Sequence, residues 1–519
     1  MKLLFCIVFC VSPMFFGLSA QPLCGGRPVG LRKAMPCLHE VAQLPSRQQL
    51  AQSEFGGLAV NPDVFAAPIA TNFNPCNSGQ WESAGDTSVW RLAISSPGAF
   101  SLNLLFADVS MPDGASLYLY SADTTEVLGA YTAANNSAFL PTPPIAGDVV
   151  VVEYNEPVNA DFQGFFNITQ VAHDFKGAFA EEPKPGKCQV GLTDEQRREW
   201  GNERRAVCRI LVGGTTLCTG TLLATADRSF EPYVLTARHC IYSEKQAQSS
   251  IFFFNYDDYD IPEKQYVAGS SLVAVKNNDD GFLDFALVRL KGGIPDYYDV
   301  YYAGWDVGGS LPRGGTCIHH PQGGPVAIAI DADSLQAVSY RNFDELSFLN
   351  VAEWDEGATE QGSSGAPIFD ANHRVVGLLA GGDADCDYPM NDYFQMLSVC
   401  YNRYGFDSLQ LAHWLNPASL PVTHIDGAFA NGTAISAEKA DTRVAIYPNP
   451  ATTEIRLSVE NEYVTSVMIT DFAGRVVLKK RIDSKKNVTL NVGRLPAGVY
   501  VCSIEFANGN FGKTLIIKE

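Results

Sequence analysis

Apolar residues fall in short runs along this chain, and glycine, proline, asparagine and aspartate break them up. In residues 21 to about 180, Val89–Ile94 and Ala99–Phe106 alternate partly between apolar and polar positions, and Ala115–Tyr120 does so clearly. Met111-Pro-Asp-Gly114 is a turn signal and Asp148–Glu153 is a further strand. Period-two alternation without a helical period predicts antiparallel β-structure, here a β-sandwich. From residue 188 to 426 the runs continue at Ala206–Val212, Thr221–Leu223, Tyr233–Thr236, Ile251–Phe254 and Phe285–Val288. Two segments there predict helices. Thr193–Trp200 has a capping-type start, and Asp407–Leu415 is stopped by Asn416-Pro417. The stretch 444–519 alternates again at Glu454–Val459, Val467–Asp471 and Gly498–Ile504, which predicts a second, smaller β-sandwich. The fold class is all-β.

Length adds a division into units. A chain of 519 residues exceeds what one core supports. Lys176–Lys187 is polar, proline-containing and without a period, and 427–443 is small and polar; both predict linkers. At the start, Lys2 precedes an apolar stretch from Leu3 to Leu18 and a small-residue site at Leu18-Ser19-Ala20. That order predicts a secretory signal over residues 1–20, too short for a membrane span. No later stretch predicts a transmembrane segment. Export places the later cysteines in an oxidising compartment, where disulfides persist. A net charge of −20 argues against nucleic acid as a partner, because no basic surface is available for phosphates.

The chemistry gathers around Gln361-Gly-Ser-Ser-Gly-Ala-Pro-Ile-Phe-Asp370. Gly362, Gly365 and Pro367 predict a sharp turn that exposes one serine and turns backbone N–H groups outward. Ser364 could then attack a carbonyl while the N–H groups of Gly362 and Ser364 hold the oxyanion. Upstream stand Thr236-Ala-Arg-His-Cys240 and Leu283-Asp-Phe-Ala-Leu-Val288, giving the order His239, Asp284, Ser364. A serine hydroxyl needs a base, which His239 supplies, and an acid to orient the imidazole, which Asp284 supplies. An α/β-hydrolase elbow would carry glycine two residues after the serine, where Ala366 stands. His319-His320 is the rival constellation. Adjacent strand residues point opposite ways and no further ligands stand at metal spacing, so the pair is read as structural. The reaction calls for neither metal nor organic cofactor.

His239, Asp284 and Ser364 follow the order of the chymotrypsin-like peptidases, and from Cys188 to about Gly427 the chain resembles bacterial lysyl endopeptidases within that group. The resemblance is carried by Leu217-Cys-Thr-Gly-Thr-Leu222, Leu235-Thr-Ala-Arg-His-Cys240, Tyr302-Ala-Gly-Trp-Asp306, Ile318-His-His-Pro321 and Gly362-Ser-Ser-Gly365. Gly381-Gly382 with Cys386, Trp414–Ala418 and Ile425–Gly427 extend it. It implies a double β-barrel, cleavage after lysine with arginine as the alternative, and Asp392 as the residue that binds the substrate side chain. It also implies disulfides Cys218–Cys240 and Cys188–Cys386, and leaves Cys208, Cys317 and Cys400 without a guide. The family pairs a tryptophan with a histidine beside the catalytic histidine. Trp354 matches the first of these, and Ala380 stands at the second. Ser363 replaces the aspartate that pairs with a new N-terminus in trypsin-like zymogens, so activation by N-terminal insertion is not expected. The stretch 444–519 resembles a type IX secretion sorting domain through Tyr447-Pro-Asn-Pro450, Leu495–Tyr500 and Lys513–Lys518.

The units expected are thus a signal (1–20), a β-sandwich pro-domain with linker (21–187), the peptidase (188–426), a linker (427–443) and the sorting domain (444–519). A binding face is the alternative for the first sandwich. The partners implied are protein or peptide substrates and the type IX secretion machinery. The rival functions are a peptidase of another preference and an inactive surface adhesin.

Overall fold

The computed structural model describes residues 28–31, 33–36, 38–41, 63–179, 188–189, 191–256, 265–276, 282–430, 444–459, 463–470, 476–506 and 511–518. The signal segment, residues 180–187 of the first linker and 431–443 of the second lie outside these. The chain divides into two compact units, 1–432 and 433–519.

The first unit begins with two facing sheets. One orders Leu38–Glu40, Thr87–Ser95, Val149–Pro157, Ser116–Ser121 and Val127–Tyr131, with Gln80–Ala84 also on Thr87–Ser95. The other orders Ile145–Ala146, Ser101–Ser110, Phe165–Asp174 and Ala66–Phe73, with Ser137–Pro141 on Ser101–Ser110. Trp90, Leu92, Ile94, Leu104, Phe106 and Ile168 fill the space between them. Ser116–Ser121 departs from the alternation in its sequence, since Leu117 to Ser121 are all buried. The cause is the stretch near residue 30. Gly30 N donates to the fully buried Glu153 carboxylate at 3.0 Å, and Tyr120 Oη donates to the same group at 3.1 Å. The polar ends of the outer face are thereby satisfied and covered.

The sandwich leads directly into a barrel. Asp63–Val64 pairs with Thr216–Leu223 as an extra edge strand, and Asn103 Nδ2 donates to Gly214 O at 2.8 Å. The barrel orders Gln265–Ala268, Ile251–Phe254, Val207–Val212, Thr216–Leu223, Tyr233–Thr236, Ala286–Leu290 and Ser270–Val275. Its end strands are one segment bent at Gly269, where φ is +81°, and that bend closes the barrel. A second sheet repeats the plan with Ala327–Ser334, Arg313–His319, Pro367–Phe369, Arg374–Gly382, Met390–Met396, Phe348–Glu353 and Gln336–Val338. Its ends join through Leu335, itself buried in the second barrel's core. The chain is mostly β with a double-barrel middle.

The predicted helix at Thr193–Trp200 is present as Asp194–Glu199, with a reciprocal Thr193–Gln196 capping box. The predicted helix over Asp407–Leu415 is corrected. A 3₁₀ turn at Asp407–Leu409 and a short helix at Ala412–Leu415 are separated by Gln410, which is extended at φ −151°. In the second unit, Val444–Tyr447, Glu454–Val459 and Asn487–Asn491 form one sheet, and Val476–Lys485, Val464–Thr470, Gly498–Phe506 and Phe511–Lys518 the other. Ile455, Leu457, Val467, Ile469, Leu490 and Ile516 form its core.

Candidate active site

Strand register brings the first two residues together. Thr236 pairs with Ala286 in adjacent strands, so the turn after Thr236 and the residues before Ala286 leave the barrel at the same end. His239 sits in that turn and Asp284 two residues before the second strand. The His239 Nδ1–H donates to Asp284 Oδ2 at 2.8 Å, and His239 N donates to Asp284 Oδ1 at 3.0 Å. Both oxygens of the acid are thus spent on one residue, which fixes the ring in the tautomer with Nε2 bare. That Nε2 is buried and has no partner among the described residues.

Ser364 comes from the second barrel, in the loop before Pro367–Phe369. Its turn is pressed onto the histidine loop. Thr219 N donates to Ser364 O at 2.8 Å, and the Cys240 sulfur lies 3.8 Å from the same oxygen. Gly365 has φ +84°, and a Cβ there would lie 2.4 Å from Thr219 O and from Thr236 Oγ1 and 2.8 Å from Ala237 N. No side chain fits between the two barrels at this point. Gly365→Ala is therefore expected to displace the turn from the histidine loop, with activity lost and melting temperature lowered in the purified protein. The N–H groups of Gly362 and Ser364 have no acceptor among the described residues, whereas those of Ser363, Gly365 and Ala366 are all bonded. Two buried donors left open two residues apart in one turn suit a developing oxyanion.

Sequence reasoning missed Gln395, which holds the site across the barrels. This fully buried side chain accepts from Asp284 N at 2.9 Å and donates to Ser347 O at 2.8 Å. No signal in the sequence singles it out, since Met390–Met396 also carries Asn391 and Asp392 and the partners of Gln395 come from distant segments.

Asp392 lies in Met390–Met396, 1% exposed. Its Oδ2 accepts from Trp354 Nε1 and from Thr359 Oγ1, each at 2.7 Å. Oδ1 faces Gly382, where a Cβ would come within 2.2 Å of it. Burial, opposed by the bonds from Thr359 and Trp354, pushes the carboxyl up to about 6. The Trp354 expectation is corrected here. Its indole serves the Asp392 carboxylate inside the second barrel's core, whereas Ala380 packs in a different cluster with Tyr340 and Phe348. Tyr340 stacks on Tyr393 at 4.2 Å between centroids. The rings clustered with position 380 are tyrosines and phenylalanines, and Trp354 is not among them.

Cys218 is bonded to Cys240, and Cys188 to Cys386. Cys208, Cys317 and Cys400 are buried free thiols, and burial pushes each of them up. His319 and His320 are buried in the second barrel, and no cluster of three or more potential metal ligands occurs among the described residues. No helix among the described residues is long and apolar enough to cross a membrane.

Residues 184–395 match the family described as lysyl endopeptidase, C-terminal domain, and residues 445–518 match the secretion system C-terminal sorting domain. A lysyl endopeptidase of Pseudomonas aeruginosa is 27% identical over 352 residues, covering 60% of this chain and 73% of the relative. Among solved structures, a Glu endopeptidase in complex with MPD is 17% identical at a TM-score of 0.28, covering 41% of this chain and 93% of that one. The inactive form of the Rv3671c protease is 14% identical at a TM-score of 0.27, covering 40% of this chain and 92% of that one. The chain carries a serine endopeptidase domain of lysyl endopeptidase type, followed by a sorting domain that directs it to the cell surface or the medium.

Proposed function

We propose that this serine endopeptidase cleaves after lysine, with arginine as the alternative, through an acyl-enzyme on Ser364. His239 Nε2 takes the hydroxyl proton as Ser364 Oγ bonds to the scissile carbonyl carbon. The resulting imidazolium is held by Asp284, and the oxyanion sits between the N–H groups of Gly362 and Ser364. His239 then returns the proton to the leaving amine nitrogen as the peptide bond breaks. Water repeats the sequence and releases the acid. The single observation that carries this reading is the bare His239 Nε2, backed by Asp284 at 2.8 Å, on the loop against which the Ser364 turn is packed.

Lysine preference rests on Asp392. A buried carboxylate with two neutral donors on one oxygen gains most from a cationic side chain. The test is a peptide library read by mass spectrometry, beside labelling with a peptidyl phosphonate that carries lysine at its reactive end. Cleavage after lysine, with the label on Ser364, is expected. Cleavage spread over uncharged residues would remove Asp392 from the reading, and a label elsewhere would remove Ser364.

The β-sandwich is read as a pro-domain, released when the enzyme cuts after a lysine between Lys176 and Lys187. A Ser364→Ala precursor is then expected to stay full length until wild-type enzyme trims it. N-terminal sequencing of the active form checks this, and a start well before Gly177 would make the sandwich part of the mature protein.

A further inference from the structure

The two oxyanion donors belong to the peptide units 361–362 and 363–364, and a peptide unit that can rotate is a poor donor. Each unit is held, because the carbonyls of residues 361 to 364 all have partners. Gln361 O accepts from Gln322 N at 2.6 Å, and Ser363 O accepts from Ala366 N at 2.9 Å. Gly362 O accepts from Thr219 Oγ1 at 3.0 Å, and Ser364 O from Thr219 N at 2.8 Å. The turn is therefore gripped by Gln322 and by Thr219, and in each of the two donor units the open N–H points away from its own bonded carbonyl oxygen.

The grip of the segment His319–Gly324 is built at some cost. Gln322, whose N–H bonds to Gln361 O, has φ +50°, a left-handed conformation unusual for a residue with a side chain of this kind. The His320 ring bonds through Nδ1 to Gly324 O at 3.0 Å, which closes the segment on itself, and His320 N donates to Thr219 Oγ1 at 3.2 Å. A Cβ on Gly362 would fall 2.9 Å from both Gln322 N and Gly323 N, so the segment and the turn are in direct contact.

His319 holds the turn from inside. Its Nδ1 lies 2.7 Å from Ser363 Oγ, and Ser363 Oγ also accepts from Glu360 N at 3.2 Å. The hydroxyl has a proton to give and a second lone pair to offer, so it pairs with a neutral His319 ring in either tautomer. The ring's Nε2 is buried with no partner among the described residues. The bond at Nδ1 is thus the one hydrogen bond of the ring among the described residues. Burial, helped by the neighbouring His320, pushes His319 down to about 3, so the ring stays neutral at neutral pH.

We propose that His319 and Ser363 form a buried positioning pair that sets the peptide units of the oxyanion donors, so that the hole is formed before any chain cut. The proposal rests on the catalytic reading above and assigns to the His319-His320 motif a part in it. In trypsin-like enzymes the residue before the nucleophile needs a new N-terminus; here its partner is already inside the barrel.

The test uses the full chain with His319→Phe, His319→Asn, Ser363→Ala and the His319→Phe/Ser363→Ala double variant. His319→Phe keeps a ring but offers no hydrogen-bonding group, whereas asparagine can place its amide near the Nδ1 position. His319→Phe and Ser363→Ala are each expected to lower kcat by about 10- to 100-fold, with KM within about threefold, and the double variant should lose no more than the worse single one. His319→Asn should recover most of the loss. Affinity for a peptide aldehyde, whose adduct places an oxyanion in the hole, should fall in step with kcat, and affinity for the matching alcohol should not. The acid limb of the pH profile should keep its midpoint, because His319 exchanges no proton with substrate.

Full kcat in Ser363→Ala, additive losses, or a loss confined to KM or to melting temperature would overturn the pair. If His319→Phe fails to fold, Ser363→Ala, which removes one oxygen, carries the test alone. Turnover by Ser364→Ala would instead bring down the catalytic reading, so the two failures are told apart.

Discussion

Ser364→Ala is expected to remove peptide-bond cleavage to the limit of detection, on the order of a 10⁵-fold loss in kcat, while the protein melts where the parent does. The fold should survive because the turn is held by its main chain. Thr219 N and Gln322 N bond to the carbonyls of Ser364 and Gln361, and neither bond uses the serine hydroxyl. The hydroxyl itself has no hydrogen-bond partner among the described residues, so its loss leaves nothing buried and unpaired. His239→Ala should cost nearly as much. A serine without a base is a poor nucleophile and a base without the serine has nothing to activate, so the double variant should be no slower than either single one. A folded Ser364→Ala protein that still turns over lysine peptides would overturn the mechanism. Single-turnover assays with an ester substrate, beside calorimetric melting, decide it.

How much of this site could be read from the sequence depends on how local each signal is. His239, Asp284 and Ser364 each lie in a run whose chemistry is complete within a few residues, and strand register does the rest. Gly365 was legible as a turn glycine. Its tighter constraint, the Thr219 and Thr236 oxygens that leave no room for a Cβ, comes from the other barrel. Gln395 and the Trp354–Asp392 bond were not legible, because each joins residues that only the closed barrel brings together. The helix expected over Asp407–Leu415 failed for a related reason. Trp414 Nε1 donates to Asp407 O at 2.8 Å, and Leu411 N donates to the carbonyls of Cys400 and Tyr401, so tertiary bonds replaced the helical ones. His319 shows the same limit from the other side. Two histidines before a proline looked like core residues, and they are buried, yet burial is what keeps the His319 ring neutral beside Ser363.

Asp392→Asn is expected to separate substrate preference from stability. For lysine substrates kcat/KM should fall by at least about a hundredfold, on the order of 3 kcal/mol for one charge-assisted contact, while uncharged substrates suffer less. Asparagine can keep its carbonyl oxygen under Trp354 and Thr359, so the pocket should hold its shape. Stability should move the other way, and the sign follows from burial. The folded chain holds the Asp392 proton up to about pH 6, whereas an exposed aspartate releases it near 3.8. Between those values the folded state binds more protons than the unfolded one, so stability falls as pH rises, by up to about 3 kcal/mol. Above pH 6 the whole penalty is present. Asp392→Asn has no such proton, so its melting temperature should exceed that of the parent at pH 8 and converge with it near pH 4. Substrate binding reverses the penalty, because a lysine ammonium favours the ionised acid. For the parent, kcat/KM toward lysine peptides should therefore rise through about pH 6 more steeply than toward uncharged peptides, and in Asp392→Asn the two profiles should become parallel. Unchanged lysine preference in that variant would mean that another carboxylate reads the substrate. Asp383, Asp385 and Asp387, on the turn before the same strand, would then be the residues to replace.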